Sequence, residues 1–98
     1  MKLLVKALSD KIGKTIPFPY YATAGAAAVD LHACIDEPVV IPGGAQALIP
    51  TGLAVAIPEG HVGILASRSS MGVRNGVGFS NGIGVIDSDY RGPLRVGL

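Results

Sequence analysis

An almost entirely β fold built from short strands is what this sequence predicts, and three observations carry the prediction. Turn signals at Pro42-Gly43-Gly44, Thr51-Gly52 and Glu59-Gly60 recur roughly every eight or nine residues, the spacing of strands in a sandwich or barrel. Aliphatic and β-branched residues fill the intervals between them. Fourteen Gly and seven Pro are scattered along the 98 residues rather than repeated, which favours tight turns and argues against collagen-like or low-complexity sequence.

Taken in order, the candidate strands are Lys2 to Ala7, Ala28 to Ala33, Val39 to Ile41, Ala45 to Pro50, Leu53 to Ile57, His61 to Ala66, Gly78 to Ser80, Gly84 to Ile86 and Leu94 to Leu98. Each is a short apolar or alternating run bounded by turn residues. Only Ser69 to Arg74 suits a helical turn, with Ser69 or Ser70 as N-cap and Asn75-Gly76 as terminator. The length fits one domain spanning residues 1–98, since a chain of this size buries only just enough surface to fold. Pro93 to Leu98 alternates like a half-buried strand with no further strand to cover it, an arrangement that invites association at a sheet edge. A chain cut short of its full fold is the expectation here.

Hydrophobic residues make up 49% and charged residues 15% of the chain, which supplies a core and excludes a disordered polyelectrolyte. The net charge is +1 and the eight Lys and Arg are dispersed, so no basic stripe exists to neutralise a nucleic-acid backbone. Cys34 stands alone, which rules out an internal disulfide or thiolate metal site and leaves a buried structural thiol. His32 and His61 have no partners at ligand or triad spacing and are assigned to structure. The start is too broken for a signal peptide and no stretch reaches the length of a membrane span, so a cytoplasmic protein with no membrane partner is expected. Gly76-Val77-Gly78 lacks the strand, loop and helix context of dinucleotide and P-loop sites.

Three segments carry chemistry. In Gly82 to Gly92 an aliphatic strand runs into Asp87, Asp89, Tyr90 and a turn. Two acids two residues apart share a face of an extended strand and could hold a water, a metal or a sugar; a polar β-turn explains the same residues. In Ala66 to Gly72 a strand ends at Arg68, Ser69 and Ser70, a combination that makes an anion site at a helix start or simply a solvated cap. In Ala22 to Leu31 a run of small residues precedes Asp30, which is either a surface strand residue or a carboxylate facing a cation. Asn81 opens an Asn-Gly pair that suits a hairpin turn.

The string Gly84-Val85-Ile86-Asp87-Ser88-Asp89-Tyr90-Arg91-Gly92 closely resembles the third of five motifs in trimeric dUTPases. Ala66 to Gly72 resembles the second motif, with Ser67 where many members have Pro, and Ala22 to Leu31 resembles the first, with Ala28 where Gly is common. Ile49 to Ala54 is similar to the connecting strand, so the resemblance covers most of the chain. It implies a distorted, jelly-roll-like β-barrel of the β-clip type and hydrolysis of dUTP to dUMP and pyrophosphate. It further implies that Asp87 activates the attacking water, that Tyr90 packs under the deoxyribose, and that Asn81 helps read uracil. Arg68, Ser69 and Ser70 would clamp the phosphates, while Asp30 would contact, through water, a Mg²⁺ carried mainly by the triphosphate. A homotrimer is implied, with each active site drawn from more than one subunit. The fourth and fifth motifs do not appear before Leu98, so weak or absent turnover is expected of these 98 residues. A dUTPase-like regulatory binder is the alternative, and a dCTP deaminase is disfavoured by the string from Ile86 to Gly92.

Overall fold

The computed structural model describes residues 1–98 and is all-β apart from one short helix, in keeping with the β-clip fold. Strands β1 (Leu4–Ala7), β2 (Leu48–Ala56), β3 (Gly63–Leu65), β4 (Gly84–Ile86) and β5 (Pro93–Gly97) are joined by long irregular segments, with helix α1 (Ser69–Asn75) between β3 and β4. They form an antiparallel three-stranded sheet, β1-β2-β5, and an antiparallel pair, β3-β4.

The Thr51-Gly52 signal is not a turn. Strand β2 runs straight through it, because Gly52 adopts φ 73° inside the strand, a conformation that costs a glycine little. Hydrogen bonding to the β1 side continues across it, with the Leu8 N–H donating to the Gly52 carbonyl at 2.7 Å. Toward β5 the register breaks: Pro50 pairs with Arg95 and Ala54 with Pro93, so residues 51 to 53 face Leu94 alone. Thr51, the one buried polar residue, fills the gap by donating its hydroxyl to the Leu94 carbonyl at 2.8 Å.

Three expected strands do not form. Between Ala28 and Ala33 no ladder develops, and the neighbouring Cys34 makes a single bond to the Pro50 carbonyl at 2.8 Å. The Val39 to Ile41 and Gly78 to Ser80 segments are also irregular; the latter is held by Ser80 N–H to the Gly97 carbonyl, 2.9 Å. The α1 N-cap is Arg68, with extended backbone and no side-chain cap, so Ser69 and Ser70 are the first helical residues rather than the cap. At the other end Gly76 adopts φ 64°, and the Gly76 and Val77 N–H groups donate to the Gly72 and Met71 carbonyls, the pattern that closes a helix on a left-handed residue.

Ile57, Ile86 and Leu94 form the buried cluster, with Leu31, Val55 and Leu65 packed against it. It joins the two sheets and fixes Ile86, the residue immediately before Asp87. Only seven of the 98 residues are buried, and the accessible surface is 7000 Å². A folded monomer of 10.0 kDa exposes about 5,200 Å², so a large apolar area remains open, including Phe18, Tyr20, Tyr21, Val40 and Val73.

Candidate active site

The Asp87 segment leaves the sheet at once. The Tyr90 N–H donates to the Asp87 carbonyl at 3.2 Å, and Ser88 and Asp89 between them both keep negative φ with no cis bond, which identifies a type I turn. The expectation of two acids side by side on an extended strand is therefore corrected: Asp87 opens the turn and Asp89 lies within it. The turn wins because Asp is favoured at its first position, where β4 has already ended. Asp87 is exposed, directly after buried Ile86.

Tyr90 is 40% exposed and fixed at both ends. Its hydroxyl donates to the Pro93 carbonyl at 2.8 Å. Its ring lies against Gly92, where a Cβ would stand 2.5 Å from the phenolic oxygen; only a glycine leaves that space. The phenol is thus an exposed, immobilised plane three residues from an exposed carboxylate.

The phosphate-type residues form a second group. Asp30 and Arg68, far apart in sequence, face one another with Arg68 Nε 3.9 Å from Asp30 Oδ1, both largely exposed. So open a pair contributes little to stability, but it sets a guanidinium beside a carboxylate at the start of α1. Ser69 and Ser70 occupy the first turn, whose N–H groups no side chain caps; such donors suit an anion. No hydrogen bond or ion pair joins this group to Asp87 or Tyr90.

Asn81 lines a cleft of about 280 Å³ together with Leu65, Phe79, Ser80, Gly84 and Gly97. The expected Asn-Gly hairpin turn needs positive φ at both residues, and Asn81 has negative φ while Gly82 alone is at 75°. Instead the Gly82 N–H donates to the Phe79 carbonyl and the Ile83 N–H to the Asn81 carbonyl. The Asn81 carboxamide makes no hydrogen bond within the chain and is free for a ligand. Neither Asp87 nor Tyr90 lines this cleft or the larger one, of about 380 Å³, between Lys11, Cys34, Asp36 and Arg95.

No three His, Cys, Asp or Glu side chains gather as a metal cage. Asp30 offers a single exposed carboxylate, which fits Mg²⁺ held chiefly by water and substrate oxygens and does not fit a protein-coordinated ion. Cys34 is half-buried rather than enclosed; it packs closely on Gly52, where a Cβ would meet its Sγ at 2.8 Å. Lys11 pairs with exposed Asp36, and its hydrogen bond and charge hold that carboxyl below the usual carboxylate value. His61 is exposed, with Nδ1 3.1 Å from the Glu59 carbonyl.

The dUTPase family model matches residues 14–98. The chain belongs to the dUTPase family. It is 46% identical over 98 residues to the deoxyuridine 5′-triphosphate nucleotidohydrolase of Sodalis glossinidius, covering 99% of this chain and 65% of that one. It is 44% identical to the enzyme of the same name from Erwinia tasmaniensis, covering 99% and 64%. The chain thus spans somewhat less than two thirds of these curated relatives. Among solved structures, a dUTPase of phage phi11 of S. aureus, described with a coordinated structural Mg(II) ion, superposes with TM-score 0.84 at 32% identity, covering 99% of this chain and 58% of that one. The Staphylococcus bacteriophage 80alpha dUTPase bound to dUpNHpp gives 0.83 at 33% identity, covering 97% and 56%. No helix of the chain is long and apolar enough to cross a membrane.

Two features of the site escape a reading by residue type. Arg91 and Pro93 brace the Asp87 turn through main-chain carbonyls, contacts that no spacing rule announces. Thr51 reads as a turn residue until the break in register at β2 is known.

Proposed function

We propose that this chain carries the nucleoside pocket, the catalytic carboxylate and part of the phosphate site of an enzyme that hydrolyses dUTP to dUMP and pyrophosphate. The observation that supports it most is the Asp87–Tyr90 turn, an exposed carboxylate three residues from a phenol pinned by the Pro93 carbonyl and the space at Gly92. Asp87 accepts a proton from a water directed at the α-phosphorus, a role worth about 10²- to 10⁴-fold in rate. The Tyr90 ring shelves the deoxyribose and leaves no room for a 2′-hydroxyl. Asn81 hydrogen-bonds the uracil edge from the cleft beside Gly84.

Arg68, Ser69, Ser70 and the open first turn of α1 bind the phosphate chain, with Asp30 oriented toward the hydration shell of Mg²⁺. When bound with the triphosphate, Mg²⁺ neutralises phosphate charge and helps hold the chain in line. Because nothing links Asp87 and Tyr90 to Arg68 within one chain, a homotrimer in which neighbouring subunits complete each site is the favoured arrangement. The roughly 1,800 Å² of surface beyond that of a monomer of this mass supports it, being on the scale of a standard protein interface. Sedimentation should give three times 10.0 kDa; a monodisperse monomer would remove the shared site. The setting is cytoplasmic, with no nucleic-acid or membrane partner.

The test is pyrophosphate release from dUTP with Mg²⁺ in heavy-oxygen water. Label in the phosphate of dUMP is the expected result. Label in pyrophosphate, or ammonia release from dCTP in place of hydrolysis, would overturn the assignment.

A further inference from the structure

Arg91 has no part in the chemistry described, yet it is the most heavily engaged side chain of the Asp87 turn. Its Nη1 donates to the Ser88 carbonyl at 2.7 Å and to the Tyr90 carbonyl at 3.1 Å. Apart from these, the turn is closed by one main-chain bond of 3.2 Å, at the long end of the useful range. A charged donor held between two carbonyls makes shorter and stronger bonds than a neutral one. We infer that Arg91 is a positioning residue whose guanidinium locks the Asp87–Tyr90 turn and so sets the angle between the Asp87 carboxylate and the Tyr90 ring. The inference rests on the reading of that turn as the nucleoside and water site.

The contacts around it show why the angle needs a lock. Tyr90 is already anchored at its far end by the Pro93 carbonyl and fits only because Gly92 has no side chain. Asp87 is anchored from the other direction by buried Ile86. Half-buried Ser88 and exposed Asp89 lie between these two fixed points. Arg91 ties the Ser88 carbonyl to the Tyr90 carbonyl across them, so loosening it lets the carboxylate shift while the ring stays.

The experiment compares wild type, Arg91→Ala and Arg91→Lys in three readouts: amide exchange at Tyr90, kcat and KM for dUTP, and thermal stability. Arg91→Ala is expected to raise Tyr90 amide exchange several-fold with the β2 amides unchanged. It should lower kcat about tenfold, since a misplacement approaching 1 Å costs up to about 10²-fold, and leave KM within about twofold. Arg91→Lys, which keeps a charged donor, should regain most of the rate. Unchanged Tyr90 exchange in Arg91→Ala would overturn the lock. Faster exchange with wild-type kcat would overturn the positioning role. A fall in melting temperature with kcat intact would reduce Arg91 to a structural residue. If wild type neither binds nor hydrolyses dUTP, the functional reading falls, while Tyr90 exchange still decides whether Arg91 holds the turn.

Discussion

Replacing Thr51 by Val tests the break in register that seats β5 against β2. The side chain is 4% exposed; its hydroxyl donates to the Leu94 carbonyl at 2.8 Å and accepts from the Leu53 N–H at 3.3 Å. Valine fills nearly the same volume but leaves both groups without that partner. Two buried polar groups so abandoned cost about 1.5 kcal/mol each, within the usual range of about 1–3, and the added methyl returns about 0.8 kcal/mol, so a net loss of about 2 kcal/mol is expected. For a chain of this length that is a drop of roughly 10 °C in Tm. Thr51→Ser keeps the hydroxyl and loses only a methyl, about 1 kcal/mol. Thermal unfolding of the three proteins at one fixed concentration decides it, because association would otherwise shift the midpoints. A Val variant within a degree or two of wild type, or a Ser variant less stable than Val, would refute the role of the hydroxyl.

Other outcomes follow from the same contacts. Gly52→Ala should cost about 3 kcal/mol from left-handed strain plus the clash with Cys34; Cys34→Ala added to it should recover about 1 kcal/mol, measured by urea denaturation, and no recovery would place the cost in the backbone alone. Asp36 has a depressed folded pKa because of Lys11, so its stabilisation is complete above the usual 3.8 and fades as pH falls through the lower folded value. Melting curves of wild type and Asp36→Asn should therefore differ by a small, constant amount near neutrality and converge in strong acid; a gap that widens below pH 3.8 would contradict the sign. Arg68→Ala should raise KM for dUTP at least tenfold through loss of a charged phosphate contact while leaving Tm nearly unchanged, given the exposure of its pair with Asp30; an unchanged KM would remove it from the phosphate site.

The β character and the site segments were legible because both are local. Apolar runs between Gly and Pro announced β1, β3, β4 and β5, and Asn75-Gly76 announced the end of α1. The segments illegible in the sequence depend on distant partners. Ala28 to Ala33 alternates like a strand, but the part of the β2 edge that β1 leaves open is met by Cys34, at the Pro50 carbonyl, and not by this segment. Thr51-Gly52 has turn composition, yet a single left-handed glycine is absorbed as an irregularity within a paired strand. Asp87 and Asp89 follow a strand in sequence, but the chain turns at Asp87 itself instead of staying extended. Asp30 and Arg68 were each visible as chemistry, whereas their approach to 3.9 Å is a product of the fold.

The central claim is that Asp87 serves the chemistry and Tyr90 the choice of sugar, and steady-state pyrophosphate release from dUTP and UTP by wild type and Asp87→Asn tests it most directly. Wild type should hydrolyse dUTP, slowly for want of a complete phosphate site, and leave UTP nearly untouched, while Asp87→Asn should lose about 10²- to 10⁴-fold of that kcat with KM for dUTP little altered. An Asn variant as fast as wild type, or equal turnover of the ribonucleotide, would contradict it.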